Sequence, residues 1–399
     1  MRAVLGLVVL LLSWSASAQT IPPRGDAGAL DVASWNIEWF AHPVNGPSDD
    51  SLQVRNVRAI VRQAGLDVWA LQEIASVNDF FRLVGDLVPS GFNGVIGPQT
   101  GSADADQRLA YVYRSDAVQV RSVRTILPGE SFNFAGRLPL ELRANVTVGD
   151  VTEEVYFINF HAKAFSGTQD YNRRLGAAQA LKAYTDALVE AGARVVILGD
   201  YNDRLRISTA AGRPSPYLAF VDDPRYRFAT DALDLANTPT FCGNTTCTSG
   251  SAIDHIAYTE ALFAAYVEGS GDRYAELVAA VPSYRSTTSD HLPVLARFRL
   301  GGAVSAEDAP AGAALGLRLD GPNPFRTGTA LAFSLAEAAD VRLEVFDALG
   351  RRVAVVTEGA RGAGTHRVHL DAAALAPGSY VARLVAGGQA EALRLVRVR

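Results

Sequence analysis

Through the first 300 residues, short apolar runs alternate with stretches in which apolar positions recur every three or four residues. From Asp31 the pattern reads as a strand running through Trp35-Asn36-Ile37-Glu38-Trp39-Phe40, followed by a loop rich in Pro, Asn, Gly and Asp. Leu52, Val54, Val57, Ile60 and Val61 recur at helical spacing until Gly65, and Leu66 to Ile74 forms the next strand. A helix spans Val77 to Val88 and ends at Pro89, because the residue before a proline disfavours helical backbone. Strands are predicted at Arg108 to Arg114, Leu140 to Val148 and Glu154 to His161, the first two joined by a long loop containing Gly and Arg. Thr168 to Ala191 is the strongest helical stretch, with Leu175, Ala178, Leu181, Leu188 and Val189 on one side. A strand opens at Arg194, and short strands follow an irregular region at Ser251 to Tyr258 and Leu292 to Leu300.

Strand pairs with intervening helices argue for an α+β unit of two sheets packed face to face, helices outside. Residues 301–316, rich in Ala and Gly, read as a linker. Beyond it, strand patterns at Ala330 to Leu335, Val341 to Asp347, Arg352 to Thr357, His366 to Leu370, Ser379 to Val385 and Ala392 to Val398 are separated by Gly- and Pro-bearing turns. That is the signature of a small all-β sandwich over 317–399. No internal repeat or coiled coil is evident.

A chain of 399 residues with 48% hydrophobic content accommodates two domains, the first large. Its net charge of −5 gives no global attraction to nucleic acid or anionic lipid, so any phosphate recognition must be local. Lys163 and Lys182 are the only lysines. Arg2, the apolar run Ala3 to Leu12 and the small-residue set Ala16-Ser17-Ala18 read as a signal peptide over 1–18, implying export. The run is too short to span a bilayer. In an oxidising compartment Cys242 and Cys247, the only cysteines, suit a small disulfide-closed loop better than a zinc site.

The chemistry gathers at strand ends. Arg194-Val195-Val196-Ile197-Leu198 is a strand buried on both faces that runs into Gly199-Asp200-Tyr201-Asn202-Asp203, delivering oxygen ligands of the kind hard cations take. Alone, Gly-Asp-x-Asn is also an ordinary turn. Asn36, Glu73, His161, the pair Asp254-His255 and the pair Asp290-His291 occupy similar positions. His255 follows Asp254 in a strand, so it faces the other way and reads as structural.

The ordered set Trp35-Asn36-Ile37-Glu38, Leu71-Gln72-Glu73, Asn159-Phe160-His161-Ala162-Lys163, Gly199-Asp200-Tyr201-Asn202-Asp203, Ile253-Asp254-His255-Ile256 and Ser289-Asp290-His291-Leu292-Pro293-Val294 resembles the endonuclease/exonuclease/phosphatase superfamily over residues 30–300. The resemblance implies a four-layer αββα sandwich with its site at one end of the sheets. It implies that Asn36, Glu73 and Asp290 hold a divalent metal, Mg²⁺ with Mn²⁺ or Ca²⁺ as alternatives. Asp200 and Asn202 would position water and phosphate, His161 and His291 would flank the scissile phosphate, and Asp254 would orient His291. Arg137, in Arg137-Leu138-Pro139, resembles the family's phosphate-contacting arginine. Arg173 and Arg174 read instead as the solvent face of the long helix.

The resulting expectation is a secreted, metal-dependent phosphodiesterase acting on nucleic acid, DNA or RNA. A sphingomyelinase-like or inositol-phosphate-type hydrolase on the same scaffold, and a non-catalytic surface binding protein, are the alternatives. Asn323-Pro324-Phe325, Val345-Phe346-Asp347, Gly350-Arg351-Arg352 and Pro377-Gly378-Ser379-Tyr380-Val381 resemble a C-terminal sorting domain of the type IX secretion system, which implies that machinery as a partner. A carbohydrate- or partner-binding sandwich is the alternative there.

Overall fold

The strand predicted from Asp31 is β1 (Leu30–Phe40), and its two faces enter different cores. Leu30 and Val32 lie in one, and Ala33, Trp35 and Ile37 in the other, as period-two alternation requires of a strand buried on both sides. The computed structural model describes residues 19–99, 107–301, 316–319, 323–335, 337–347, 351–373, 375–387 and 389–398. The expected signal peptide, residue 350 of the sorting-domain motif and most of the expected linker (302–315) lie outside them. The chain divides into two units, Met1–Gly301 and Gly302–Arg399.

In the first unit β1 is followed by α1 (Asp50–Ala64), whose first turn is capped by the Asp49 carboxylate accepting from Leu52 N at 2.8 Å. Gly65 closes the helix at φ 75°, a backbone angle that favours glycine. Then come β2 (Val68–Ile74), α2 (Val77–Leu87), β3 (Phe92–Ile96), β4 (Arg108–Arg114), β5 (Val118–Thr125), β6 (Leu140–Val148) and β7 (Val151–His161). The long helix α3 (Thr168–Glu190) leads to β8 (Arg194–Asp200). The irregular region holds α4 (Leu218–Val221), β9 (Tyr226–Phe228), α5 (Asp231–Ala236), and a two-stranded ribbon of β10 (Phe241–Cys242) and β11 (Gly250–Ser251). It ends with β12 (Asp254–Thr259), β13 (Asp272–Arg273), α6 (Leu277–Ala280), α7 (Tyr284–Thr287) and β14 (Val294–Phe298).

One six-stranded sheet runs β13-β14-β1-β2-β4-β3, the other β5-β6-β7-β8-β12-β9. Val32, Val68, Leu142, Phe157, Leu198 and Ile256 fill the space between them. Residues from α1 and α2 cover the outside of the first sheet, and Ala177, Ala178 and Leu181 of α3 cover the second. The result is a four-layer αββα sandwich. Among the described residues no helix is long and apolar enough to cross a membrane.

Four local expectations are corrected. The loop after β4 contains β5, paired antiparallel with β6; a bulge between Val120 and Ser122 and several exposed positions break the alternation that would have marked it. β3 was also not foreseen, and the strand expected from Ser251 to Tyr258 is two, with Ala252 and Ile253 carrying the chain from β11 to β12. Arg174 is fully buried, not solvent-facing: its Nε donates to Asp203 Oδ2 at 2.9 Å, tying α3 to the segment after β8.

The second unit packs a sheet of β15 (Gly316–Leu319), β16 (Gly328–Leu335) and β19 (Gly364–Asp371) with one of β17 (Ala339–Asp347), β18 (Arg352–Arg361), β20 (Gly378–Ala386) and β21 (Gln389–Arg397). Leu331, Phe333, Leu343, Val345, Leu384 and Leu395 form its core.

Removing one partner of a buried ion pair leaves the other charge unpaired, at roughly 3–5 kcal/mol. Arg174→Met therefore destabilises the first unit by about that amount in a chemical denaturation experiment. Arg173→Met, at a half-buried neighbour with no such buried ion pair, costs within about 1 kcal/mol.

Candidate active site

Alternation along five strands decides which polar residues meet. Asn36 continues the inter-sheet face of β1, Gln72 that of β2, Asn159 and His161 that of β7, Asp200 that of β8 and Asp254 that of β12. All six are buried. β7 and β8 run parallel with His161 opposite Asp200, and β12 pairs antiparallel with β8 so that Asp254 opposes Asp200 from the other side. This close packing of strands needs Gly199, where a Cβ would fall 2.3 Å from the Phe160 carbonyl oxygen.

Glu73 breaks the alternation, which would have sent it under the helices with Trp69 and Leu71. It sits at φ 63°, a costly backbone angle for a glutamate, and the pairing register of β2 shifts there. Its Oε1 accepts from Asn36 Nδ2 at 3.1 Å, and its Oε2 from Trp39 N at 2.9 Å. Asn36 Nδ2 also donates to Asp200 Oδ2 at 3.0 Å, and Asn36 Oδ1 accepts from Glu38 N at 3.0 Å, so a ligand role for Asn36 would use the second lone pair of that oxygen. Asp200 Oδ1 accepts from the main-chain N of Asn202 at 2.9 Å. Asn202 adopts φ 50°, and its amide reaches the Ala162 carbonyl at 3.2 Å. The turn and the site are thus the same structure.

His291 precedes β14 on a segment pinned from several sides. Ser289 Oγ donates to Asn36 O at 2.7 Å, and the His291 carbonyl accepts from Tyr284 OH at 2.6 Å and Trp35 Nε1 at 3.2 Å. Its Nδ1 meets Asp254 Oδ2 at 2.8 Å, while Nε2 stands 4.0 Å from Asp200 Oδ2 and 3.9 Å from Asp290 Oδ1. The Cys242–Cys247 disulfide closes the ribbon that rests on this segment. Cys242 N donates to Asp290 O at 2.7 Å, and the Phe241 and His291 rings meet edge to face with centroids 5.2 Å apart.

The two catalytic-type histidines stand in opposite electrostatic environments. Burial disfavours the charged form of both. For His161 nothing offsets it: Arg137, His291 and Lys163 add repulsion, and its pKa falls well below the ordinary value. Its Nε2 is 3.4 Å from Asp200 Oδ2 and 3.8 Å from Glu73 Oε1, and its buried Nδ1 has no partner among the described residues. For His291 the Asp254 carboxylate outweighs burial, helped by Asp200 and Asp290, and its pKa rises well above the ordinary value. Asp200 is itself raised, by burial first and then by the Asp254 charge.

Glu38 was not singled out by the sequence, although it stands in the Trp-Asn-Ile-Glu run. At φ 41° it turns into the site, where its Oε2 accepts from Asp290 N at 3.0 Å. Burial, then the charges of Asp290 and Glu73, raise its pKa to about 7. Glu38 and the two carboxylates that repel it, Glu73 and Asp290, are the donor set a hard divalent cation would neutralise. In a second grouping, Asp200, Asp254 and His291, one ligand atom from each lies within 4.8 Å of the others. There, however, the Asp254–His291 hydrogen bond already occupies the imidazole Nδ1. Arg137 is half-buried; its Nη2 holds the Ala162 carbonyl at 3.0 Å and Nη1 donates to Gln107 at 2.7 Å, within electrostatic reach of Glu73 and Asp200. His255 faces away, its ring between Thr230 Oγ1 at 3.1 Å and the Asp203 carbonyl at 3.2 Å. A cavity of about 430 Å³ lined by Arg206, Tyr226, Tyr258 and Tyr266 shares none of the site residues.

A two-sheet sandwich with buried carboxylates, an Asp-held histidine and an arginine at the ends of its strands defines a metal-dependent phosphoester hydrolase. The family model described as "Endonuclease/Exonuclease/phosphatase family" matches residues 33–291, more than half of the chain and all of the residues above, and the chain belongs to that family. Its members depend on divalent metal. Among solved structures, an endonuclease/exonuclease/phosphatase from Beutenbergia cavernae DSM 12333 is 18% identical with a TM-score of 0.52, covering 92% of this chain and 100% of its own. Humanized D. rerio TDP2 is 16% identical with a TM-score of 0.49, covering 68% of this chain and 99% of its own. The human Nocturnin catalytic domain with bound sulfate is 17% identical with a TM-score of 0.48, covering 69% and 98%. At such identities the likeness is one of fold. No curated protein matches the sequence.

The raised His291 pKa has a sign that can be checked. A folded-state pKa above the unfolded one means that the pair with Asp254 contributes its full stability below the unfolded value, about 6.5, and loses it as pH rises through the folded value. In chelator, Asp254→Asn therefore lowers the His291 pKa in an NMR titration. It also destabilises the protein most on the acid side of that transition, the deficit shrinking as pH increases.

Proposed function

We propose that this protein is an exported, Mg²⁺-dependent phosphodiesterase that hydrolyses nucleic acid. The observation that carries the catalytic part is the division of labour between two buried histidines beside one oxygen-rich cluster, one imidazole kept neutral and the other kept charged. Opposed environments of this kind separate acid from base roles. A divalent cation held by Glu73 and Asp290, with Glu38 and Asn36 beside them, would offset charge developing on the phosphoryl oxygens. Asp200, its pKa raised toward neutrality, is suited to take the proton of the attacking water, with Asn202 placed beside it. His291, charged through Asp254, donates to a phosphoryl oxygen, and Arg137 supplies a second cation. Neutral His161, its Nε2 3.4 Å from Asp200 Oδ2, assists the proton transfer to Asp200, and water adds to phosphorus as the bond to the leaving oxygen breaks.

Nucleic acid is favoured as substrate because the cations Arg137, Lys163 and Arg173 act on one another or on His161, a local positive edge in a chain of net charge −5. Export is supported by the apolar leader pattern and by a disulfide buried beside the site. Delivery by the type IX secretion machinery is supported by the motifs of the all-β second unit.

The test is to incubate the full mature chain with plasmid DNA, RNA, sphingomyelin and an inositol phosphate, each with Mg²⁺ and with chelator. Cleavage of DNA or RNA that chelator abolishes and Mg²⁺ restores is expected. Release of phosphocholine or phosphate with nucleic acid untouched would move the activity to the phospholipid or inositol class. His161→Ala and His291→Ala each lower kcat by about 10²–10⁴-fold in folded protein, the usual worth of a positioned acid or base. Full activity in both would sink the mechanism.

A further inference from the structure

The segment after His161 is held by its carbonyls. Arg137 and Asn202 grip that of Ala162, at 3.0 and 3.2 Å, and Arg174 Nη1 takes those of Lys163 at 2.9 Å and Phe165 at 2.5 Å. Arg174 is itself locked by the buried pair with Asp203, three residues past Asp200. Within this clamp Phe165 adopts φ 74° and is 77% exposed. A left-handed backbone is unfavourable for a bulky residue, and an exposed aromatic ring gains nothing from the core. Lys163 Nζ lies 4.5 Å from the centre of that ring while pairing with Asp170 at 3.2 Å.

A second ring repeats the arrangement. Phe132, 63% exposed, belongs to the loop that ends in Arg137. Arg173, next to Arg174 on α3, stands 4.6 Å over its ring and donates to its carbonyl at 2.8 Å. The loop that follows His161 and the loop that ends in Arg137 thus each display an aromatic face with a cation on it. Alternating cations and flat apolar faces suit a strand whose phosphates and unpaired bases alternate. In a duplex the faces of the bases are covered by their neighbours, so such rings would have nothing to stack on.

We propose that Phe165 and Phe132 are stacking platforms for unpaired bases flanking the scissile phosphate, so that the substrate is single-stranded, frayed or looped nucleic acid. This rests on the nucleic-acid reading above. The platforms act in specificity, leaving bond cleavage to the residues between the sheets.

The experiment compares kcat and KM of the full mature chain, with Mg²⁺, on a short single-stranded DNA, the RNA of the same sequence, their blunt DNA duplex and bis(p-nitrophenyl) phosphate, which carries no base. Stacking one base on an aromatic ring corresponds to at least about a fivefold effect. Phe165→Ala therefore raises KM for the single strands at least about fivefold. It also lowers their kcat/KM relative to that of bis(p-nitrophenyl) phosphate; Phe165→Trp restores the ratio and Phe165→Leu does not. Phe132→Ala acts in the same direction. An equal loss on the diester would make Phe165 a support of the His161 loop, and no change in single-strand KM would remove it from binding; either result overturns the platform and leaves the nuclease reading standing. Wild-type hydrolysis of the diester with no cleavage of DNA or RNA overturns the nuclease reading, and the platform with it. Loss of phosphocholine release from sphingomyelin vesicles in Phe165→Ala, with nucleic acid cleavage unaffected, assigns the ring to a membrane surface.

Discussion

The two sheets of the first unit are fixed against each other by buried amides that cross between them. Gln72 of one sheet donates to Asn159 Oδ1 of the other at 2.8 Å, and Asn159 Nδ2 returns to the carbonyls of Leu71 and Ala110 at 2.9 and 3.0 Å. Above them Asn36 reaches across to Asp200 at 3.0 Å. The apolar layer between the sheets is non-directional and would tolerate one sheet sliding on the other. The amides would not, since each donor left buried without a partner costs about 1–3 kcal/mol. Residues that touch no substrate thus set the spacing between the Glu73 side of the site and the His161–Asp200–Asp254 side.

That rigidity is what allows a cluster of like charges to persist. Glu38, Glu73 and Asp290 repel one another on one side, and Asp200 and Asp254 face each other on the other, so the folded state is held against its own electrostatics. The backbone carries part of the strain: Glu38, Trp39, Glu73 and Asn202 all have positive φ within or beside the cluster. Strain concentrated in this way is characteristic of functional sites, where the surrounding fold over-determines the conformation. A bound cation would relieve the repulsion, which would couple metal binding to stability.

Much of this was legible because strands have a period of two. Once Asp200 is placed at the end of a strand buried on both faces, alternation assigns Asp254 inward and His255 outward, and hydrogen bonds to Thr230 and Asp203 occupy the latter. The four-layer architecture follows from the same alternation combined with the helical stretches. Where backbone angle rather than period decides, alternation is no guide. Glu73 reaches the site through a left-handed turn and was placed there by the family resemblance alone, whereas Glu38, which turns in the same way, was not foreseen. Arg174 was misjudged for a related reason: its partner, Asp203, is distant along the chain, and only tertiary structure shows the charge to be matched. Gln72 and Asn159 stood inside recognisable motifs, yet their work is done across the gap between sheets, which no local pattern records.

Under the nucleic-acid proposal, an acidic chain must recognise a polyanion at short range. At physiological ionic strength, charges farther apart than about 8 Å are largely screened, so the net −5 matters less than what surrounds the phosphate. Arg137 and Asn202 both grip Ala162, and Arg174 holds the two loop carbonyls beyond it, so the cationic edge is built by the same contacts that orient His161. With little long-range steering available, affinity has to come from contacts made after encounter, and these fall off least with salt when they are apolar. Exposed rings with cations on their faces, on loops anchored to the catalytic strands, meet that requirement, whereas a broad basic surface would have met the opposite one.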